Sequence, residues 1–400
     1  MSAEAVRTAW DDRIPRLPLT ILCLSVLGVY ASTYLLISVL PVHIRQLGHS
    51  DTTVGTIMGT FSLAALLVRP FAGLAADRIG RRPSVFVGGM LIGLSCLGYA
   101  AAGADTVVFA RILNGLGWGA VTAATATVAA DLASPRRRGT VLGIYGMVTG
   151  AAFAIGPSAG IWLTAHVGLR ASFFVAAASG FGGGLAILLL RVPTAHVSTH
   201  PAQSTRFGLN HLFSPTATGP ALIMFCFTLV YGAVLTFVPL MTIDRGLGSS
   251  GTFFAVFAGA LIVLRISGGG LSDRLGRVKV VAPGFLSSGV AMLVLAGAHG
   301  ELPLLLAALL FAGAFAFIQP ATQAWAVDLS PAHTRGTTLA TVIAAQDLGI
   351  TLGTAAGGVL AGAFGWGGLF SIAASLSLAG LAAVWYTRRR ERVIQSLRVA

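Results

Sequence analysis

The chain has 400 residues, of which 55% are hydrophobic and 10% charged, and its mean hydropathy is +0.84. Soluble globular chains carry about 25% charged residues, and a chain this apolar could not cover its surface in water, which excludes a secreted or cytosolic enzyme. The formal net charge of +13 raises nucleic-acid binding as an option, and the one-sided placement of the basic residues argues against it.

Apolar runs of about 20 residues, each long enough to cross a bilayer, recur along the whole length. The sequence predicts an all-α polytopic membrane protein with twelve spans. Residues 1–16 carry acids and arginines and read as a cytoplasmic tail. No cleavable signal peptide is evident, because the apolar run that follows is long enough to span and lacks a cleavage site. The first span runs Leu17 to Leu40, with Tyr30 and Tyr34 on one face. Pro41 to Ser50 reads as an outer loop, and Asp51-Thr52-Thr53 as the N-cap of the second span. That span closes in a charged turn, Gly73 to Arg82. The third span is expected over Pro83 to Ala102, the fourth over Thr106 to Leu132, the fifth over Gly139 to Ala165 and the sixth over Arg170 to Leu190.

Residues 191–220 are the one long polar stretch, a cytoplasmic linker whose His196, His200 and His211 have no metal-ligand spacing. The second half places spans at Ala221 to Met241, Gly251 to Leu271, Val280 to Ala298, Leu302 to Val327, Gly336 to Ala363 and Gly367 to Thr387. A basic cytoplasmic tail, 388–400, follows. The expected organisation is a six-helix bundle over 17–190 and a second over 221–387.

Threading this topology puts most of the arginines and the single lysine, Lys279, on one face, while Arg45, Arg170 and Arg245 fall on the other. That asymmetry is the positive-inside bias; it orients both termini to the cytoplasm and absorbs the basic excess without nucleic acid. Cys23, Cys96 and Cys226 lie inside spans, odd in number and far apart, and suit apolar packing rather than a disulfide or metal framework.

The charged turn occurs twice. Arg69, Asp77, Arg78, Gly80 and Arg81 recur as Arg265, Asp273, Arg274, Gly276 and Arg277 at a single offset of 196. At an offset of 197, Asp131 and Arg138 recur as Asp328 and Arg335, and Gly156 and Gly160 as Gly353 and Gly357. A repeat of this kind predicts two parallel six-helix halves related about the membrane normal, with the transport site between them.

At these residues the chain resembles the major facilitator superfamily, over nearly its whole length. The family's turn motif, Gly-x-Leu-Ala-Asp-Arg-x-Gly-Arg-Arg/Lys, is Gly73 to Arg82 here, with Ala75 where leucine is usual and with Arg82 at its close; the second copy is Gly269 to Arg277. The resemblance implies a conformational latch. Asp77 would face the start of the eleventh span, and Arg78 or Arg81 would reach Asp131, with Asp273, Arg274, Arg277 and Asp328 as the second copy. The fourth span carries Arg111 to Ala120, similar to the family's Arg-x-x-Gln-Gly-x-Gly-x-Ala with Asn114 in place of glutamine. The fifth carries Gly156-Pro157-Ser158-Ala159-Gly160, similar to the motif of antiporter members. Its small residues let helices approach closely and its proline bends the span. The same letters fit Gly-x-Ser-x-Gly, but a nucleophile elbow needs a strand-to-helix turn that an apolar span does not provide.

Arg111, Asn114 and Trp118 share one helical face; an arginine inside a span either faces a wet cavity or snorkels outward. Asp347, beside Gln346, lies about eleven residues into the eleventh span by residue count. Burial there favours the neutral carboxyl, so Asp347 is a candidate for proton coupling or substrate contact. The cavity candidates are Tyr30, Tyr34, Arg111, Asn114, Trp118, Gln319, Gln323, Gln346 and Asp347. No cofactor or metal is expected. The sequence points to a monomeric secondary transporter of a small organic solute in the bacterial inner membrane, with proton-coupled efflux as the leading expectation and uptake symport as the runner-up.

Overall fold

The structure, a computed structural model, describes residues 16–101, 103–132, 137–190, 214–268, 270–331 and 334–399, and among them there is no strand. The membrane-crossing helices are α1 (Arg16–Ile37), α2 (Asp51–Arg78), α3 (Arg81–Ala101), α4 (Val107–Asp131), α5 (Arg138–Val167), α6 (Leu169–Ala186), α7 (Thr218–Asp244), α8 (Ser250–Gly268), α9 (Arg277–Ala296) and α10 (Glu301–Asp328). A last helical run, Arg335–Val399, is broken at Gly365, whose φ of 64° and ψ of −175° no helix contains, so it divides into α11 (335–364) and α12 (366–399). Helices are the expected solution, since hydrocarbon offers backbone groups no partner and a helix satisfies nearly all of its own. At 1.5 Å per residue, the 28 residues of α2 run about 42 Å, enough to cross a bilayer.

The side chains on the outside are apolar. Leu67, Phe71, Trp162, Ile266 and Leu302 are all exposed, Ile266 to 80%. In water such a surface would drive aggregation; around a bilayer it is the lipid face. The enclosed side is built from small residues that let backbones touch. Ser25 Oγ donates to the Gly183 carbonyl at 2.7 Å, and Ser32 Oγ to the Ala176 carbonyl at 2.6 Å, tying α1 to α6. A Cβ on Gly156 would lie 2.5 Å from Tyr34 Cβ, so α5 crosses α1 only because glycine is there.

The described residues form two compact units. One contains the residues up to Val39 with those from Ala64 to Leu190; the other contains Leu40–Leu63 with those from Ser214 onward. The first half of α2 therefore packs with the second unit. Its Gly59 would place a Cβ 2.9 Å from the Thr351 carbonyl of α11, and Thr52 Oγ1 donates to the Gly358 carbonyl at 3.3 Å.

Several details depart from the sequence expectation. The first span stops at Ile37, and the expected loop from Pro41 to Ser50 instead begins as a short helix, Leu40–Gln46. Pro41 falls in its first turn, where a missing N–H costs nothing. The cap of α2 is Ser50, whose Oγ accepts the Thr53 N–H at 3.3 Å; Asp51 already lies inside the first turn. The stretch 388–399, expected as a tail, continues α12 as helix. Arg389 stacks over the Trp385 ring at 3.8 Å, and Arg390 donates to the Pro215 carbonyl at 2.9 Å. The N-terminal tail up to residue 15 and the linker histidines, His196, His200 and His211, lie outside the described residues.

Candidate functional site

The duplicated charged turns are helix ends. α2 runs through Arg78 and stops at Gly80, whose φ of 109° needs a residue without a Cβ; Gly276 holds φ of 90° at the same place in the second copy. The two copies differ just before it. α8 breaks after Gly268, Gly270 takes φ of 80°, and a short helix, Leu271–Leu275, carries Asp273 and Arg274. The run Gly268-Gly269-Gly270 stands where the first copy has Ala72, Gly73 and Leu74 at an offset of 196, and glycine lowers helix stability.

Each turn delivers an arginine to the end of a neighbouring span. Arg81 forms an ion pair with Asp131 at the end of α4. Arg277 pairs with Asp328 at the end of α10, Nε to Oδ2 at 2.9 Å, and also with Asp273, while its Nη1 donates to Ser272 Oγ at 2.7 Å. Arg78 and Arg274 are exposed, and Arg82 donates to the Leu188 carbonyl at 3.3 Å. The side chain of Asp77, and Gly269, lie outside the described residues.

The opposite ends of the helices in the second unit carry a charged cluster that sequence reasoning missed. Arg45, on the short helix Leu40–Gln46, reaches both oxygens of Asp244 at the end of α7 and stands 3.6 Å from Asp51. The bond to Asp244 holds the Arg45 guanidinium above its ordinary pKa despite partial burial. Trp366 Nε1 donates to Asp244 at 3.2 Å. Arg245 closes the end of α9, donating to the carbonyls of Leu295, Ala296 and Ala298 at 3.0–3.1 Å, and burial pushes its guanidinium down from the usual value. The signal in the sequence was Arg45 with Asp244-Arg245, three charges on the arginine-poor face.

The intramembrane candidates fall into four places. Tyr30, Tyr34 and Trp118 form one aromatic cluster, with Trp118 at 4.6 Å from Tyr30 and 5.4 Å from Tyr34 between ring centroids. The Tyr30 hydroxyl meets that of Tyr145 on α5 at 3.1 Å, and Thr125 completes the chain at 3.0 Å. Arg69 of α2 lies close to the phenols of Tyr30 and Tyr34. Arg111 and Asn114 are elsewhere, inside the same unit against α3. Arg111 is 3% exposed beside the Tyr99 hydroxyl and Cys96, and Asn114 donates to Ser95 at 2.8 Å. Gln319 and Gln323 line a cleft of about 340 Å³ together with Arg265. Gln346 is half-buried and Asp347 is 5% exposed on α11; neither lines that cleft.

A second set of equivalences emerges from these positions. Tyr30, Tyr34 and Trp118 correspond at an offset of 197 to Phe227, Tyr231 and Phe315, and Arg69 to Arg265 at 196. Phe315 lies 5.0 Å from Tyr231 and 5.5 Å from Phe227, so both units contain an aromatic triad, and Arg265 stands 5.7 Å over Phe315. Among the described residues no group of three or more His, Cys, Asp or Glu side chains is placed to hold a metal ion.

Apolar spans duplicated at offsets of 196 to 197, with the same ion pair at the end of both copies, define a multi-pass membrane transporter of internally repeated build. The chain belongs to the Major Facilitator Superfamily, whose profile matches residues 22–279 and 249–398. It is 23% identical over 350 residues to the staphylopine export protein of Staphylococcus aureus, covering 84% of this chain and 87% of that protein. It is 27% identical over 354 residues to the inner membrane transport protein YajR of Escherichia coli, covering 85% and 75%. The solved structure of the human organic anion transporter MFSD10 superposes with a TM-score of 0.70 at 20% identity, over 93% of this chain and all of that one, which establishes the shared fold.

Proposed function

We propose that this transporter exports a small organic solute across the bacterial inner membrane by alternating access, driven by protons moving the other way, as a monomer with both termini in the cytoplasm. The observation that carries alternating access is the duplicated pair, Arg81 with Asp131 and Arg277 with Asp328. Two equivalent ion pairs at corresponding helix ends give each half a charged latch that can be made in one state and broken in another. Arg45 with Asp244 supplies a latch at the opposite helix ends. In this reading the turns of α2–α3 and α8–α9 are the cytoplasmic gate, and Asp77 joins it from the same motif.

Export is supported by the likeness to the staphylopine export protein and by the α5 seam, whose Gly156-Pro157 and Gly160 resemble antiporter members. Proton coupling rests on Asp347, an acid held 5% exposed within α11. Such a carboxyl changes charge at a large electrostatic cost, which makes its protonation a workable coupling step. The aromatic cluster of Tyr30, Tyr34 and Trp118 is the proposed solute-facing surface of the first unit.

The test is transport by the purified protein in proteoliposomes, with a compound panel and an imposed pH gradient. Export by antiport predicts solute accumulation opposite to proton flow. Accumulation with proton flow would make the protein an uptake symporter, and equilibration insensitive to pH would remove the coupling.

A further inference from the structure

The cleft between α8 and α10 is lined by a cation and two amides. Arg265 Nη2 donates to Gln319 Oε1 at 3.0 Å, and the guanidinium lies 5.7 Å over the Phe315 ring. Gln323 and Ser272 line the same cleft, with Leu264, Phe317 and Pro320 as apolar wall. Its volume of about 340 Å³ is at the small end of the range for ligand pockets, about 300–1,000 Å³. A guanidinium presents five N–H donors in a planar fork, one of which goes to the Gln319 oxygen. With its carbonyl turned to Arg265, Gln319 directs its own NH₂ elsewhere as a donor. The cleft is thus lined by a guanidinium with amide and hydroxyl groups beside it, and a ligand bearing anionic oxygens suits that cation.

We propose that this cleft is the recognition site for the acid group of the transported solute, a small organic anion bearing a carboxylate. The proposal rests on the transport reading above and narrows its substrate class. Arg265 would take the carboxylate two-pronged, the geometry guanidinium groups favour, with Gln319 orienting the fork and Gln323 adding a donor. Ser272 links the site to the gate, because the hydroxyl that lines the cleft also accepts from Arg277, the partner of Asp328. An anion arriving beside Ser272 competes for the positive charge that holds the Arg277–Asp328 pair, so loading the cleft would loosen that latch.

The experiment uses the full chain in nanodiscs of neutral phosphatidylcholine, with matched probes: 4-phenylbutanoate and its amide, and benzoate and benzamide. Binding is read by thermal stabilisation. The acids are expected to stabilise the protein and the amides not to. Arg265→Gln should weaken acid binding by at least about tenfold, the loss that even one of its two charge-assisted hydrogen bonds would cause, while Arg265→Lys retains part of it and controls for folding. Equal effects of acid and amide, no effect of either, or acid binding that Arg265→Gln leaves unchanged would each overturn the proposal. Phosphatidylglycerol doped into the discs separates the sources of anionic oxygen. If it reproduces the Arg265-dependent shift while the acids do not, the cleft holds a lipid headgroup and the proposal fails. Gradient-driven transport of uncharged solutes with no acid binding would sink this proposal and leave the transport reading intact; acid binding without gradient-driven movement would do the reverse.

Discussion

Arg45 and Asp244 meet in a two-pronged ion pair, Nη1 to Oδ1 and Nη2 to Oδ2, both at 2.9 Å. Almost two hundred residues separate them in sequence, yet both belong to the second compact unit, because the short helix Leu40–Gln46 and the first half of α2 pack there. Exposed ion pairs contribute about 0.2–1 kcal/mol, and the forked geometry with Trp366 on the same carboxylate places this one at the upper end. Arg45→Ala or Asp244→Ala should each lower the melting temperature by a few degrees at most, yet change transport rate severalfold under the proposed latch, in which the contact is made and broken in each cycle. The reversed pair, Arg45→Asp with Asp244→Arg, should recover most of both. A double-mutant cycle on melting temperature and transport rate, with no coupling between the two positions, would remove the latch.

The opposite ends carry the duplicated motif, where the expected phenotype is different. Asp77→Asn, Asp131→Asn and Asp328→Asn should slow transport by about tenfold, equivalent to roughly 1.4 kcal/mol on the rate-limiting step, and leave substrate affinity within about twofold. Asp131→Asn leaves Arg81 facing a neutral amide at a half-exposed site, where rehydration limits the stability cost to under about 1 kcal/mol. Equilibrium binding measured beside initial transport rates decides this: affinity lost in step with rate would place these residues in the binding site instead.

Much of this architecture was legible in the sequence because it depends on letters that repeat. Hydrophobic length gave the spans, and the offset of 196 to 197 gave the two copies and the arginine–aspartate ends. Where the physics is local but conditional, sequence reading went astray. Ser50 rather than Asp51 caps α2, and a proline in a first turn hid the helix Leu40–Gln46. Arg69 and Arg265 were visible only as marks of duplication, since nothing in one dimension shows that Phe315 lies under Arg265 or that Tyr30 and Tyr34 stand near Arg69. Arg111, Asn114 and Trp118 share a helical stripe by spacing, yet Arg111 and Asn114 meet α3 while Trp118 meets α1. A stripe on one helix is wide enough to face two neighbours.

Asp347 gives the sharpest test of coupling. The residue is 5% exposed on α11, and in the proposed cycle its carboxyl is the group that takes up and gives back the proton. Asp347→Asn removes the proton while keeping the shape. Gradient-driven accumulation should fall to background, whereas exchange of labelled for unlabelled solute across the membrane, which needs no proton release, should persist. Full accumulation by the variant would take proton coupling away from this position.

The glycine seams predict where the fold itself gives way. A Cβ on Gly160 would land on the Leu35 carbonyl of α1, and one on Gly353 on the Leu229 carbonyl of α7. Neither obstacle is a flexible side-chain end, so relief requires the helix axes to separate, and overpacking of this kind costs about 1–3 kcal/mol or more. Gly160→Val and Gly353→Val should therefore melt well below the parent in detergent, and each should fail alone because the seams lie in different units. Gly143→Ala, also in α5, meets nothing within 4 Å and adds helix propensity, so it should melt at or slightly above the parent temperature. Heating each purified variant and measuring the monodisperse fraction by size-exclusion chromatography separates the two classes. If the valine variants melt with the parent, close helix contact at Gly160 and Gly353 is not what holds the bundles together.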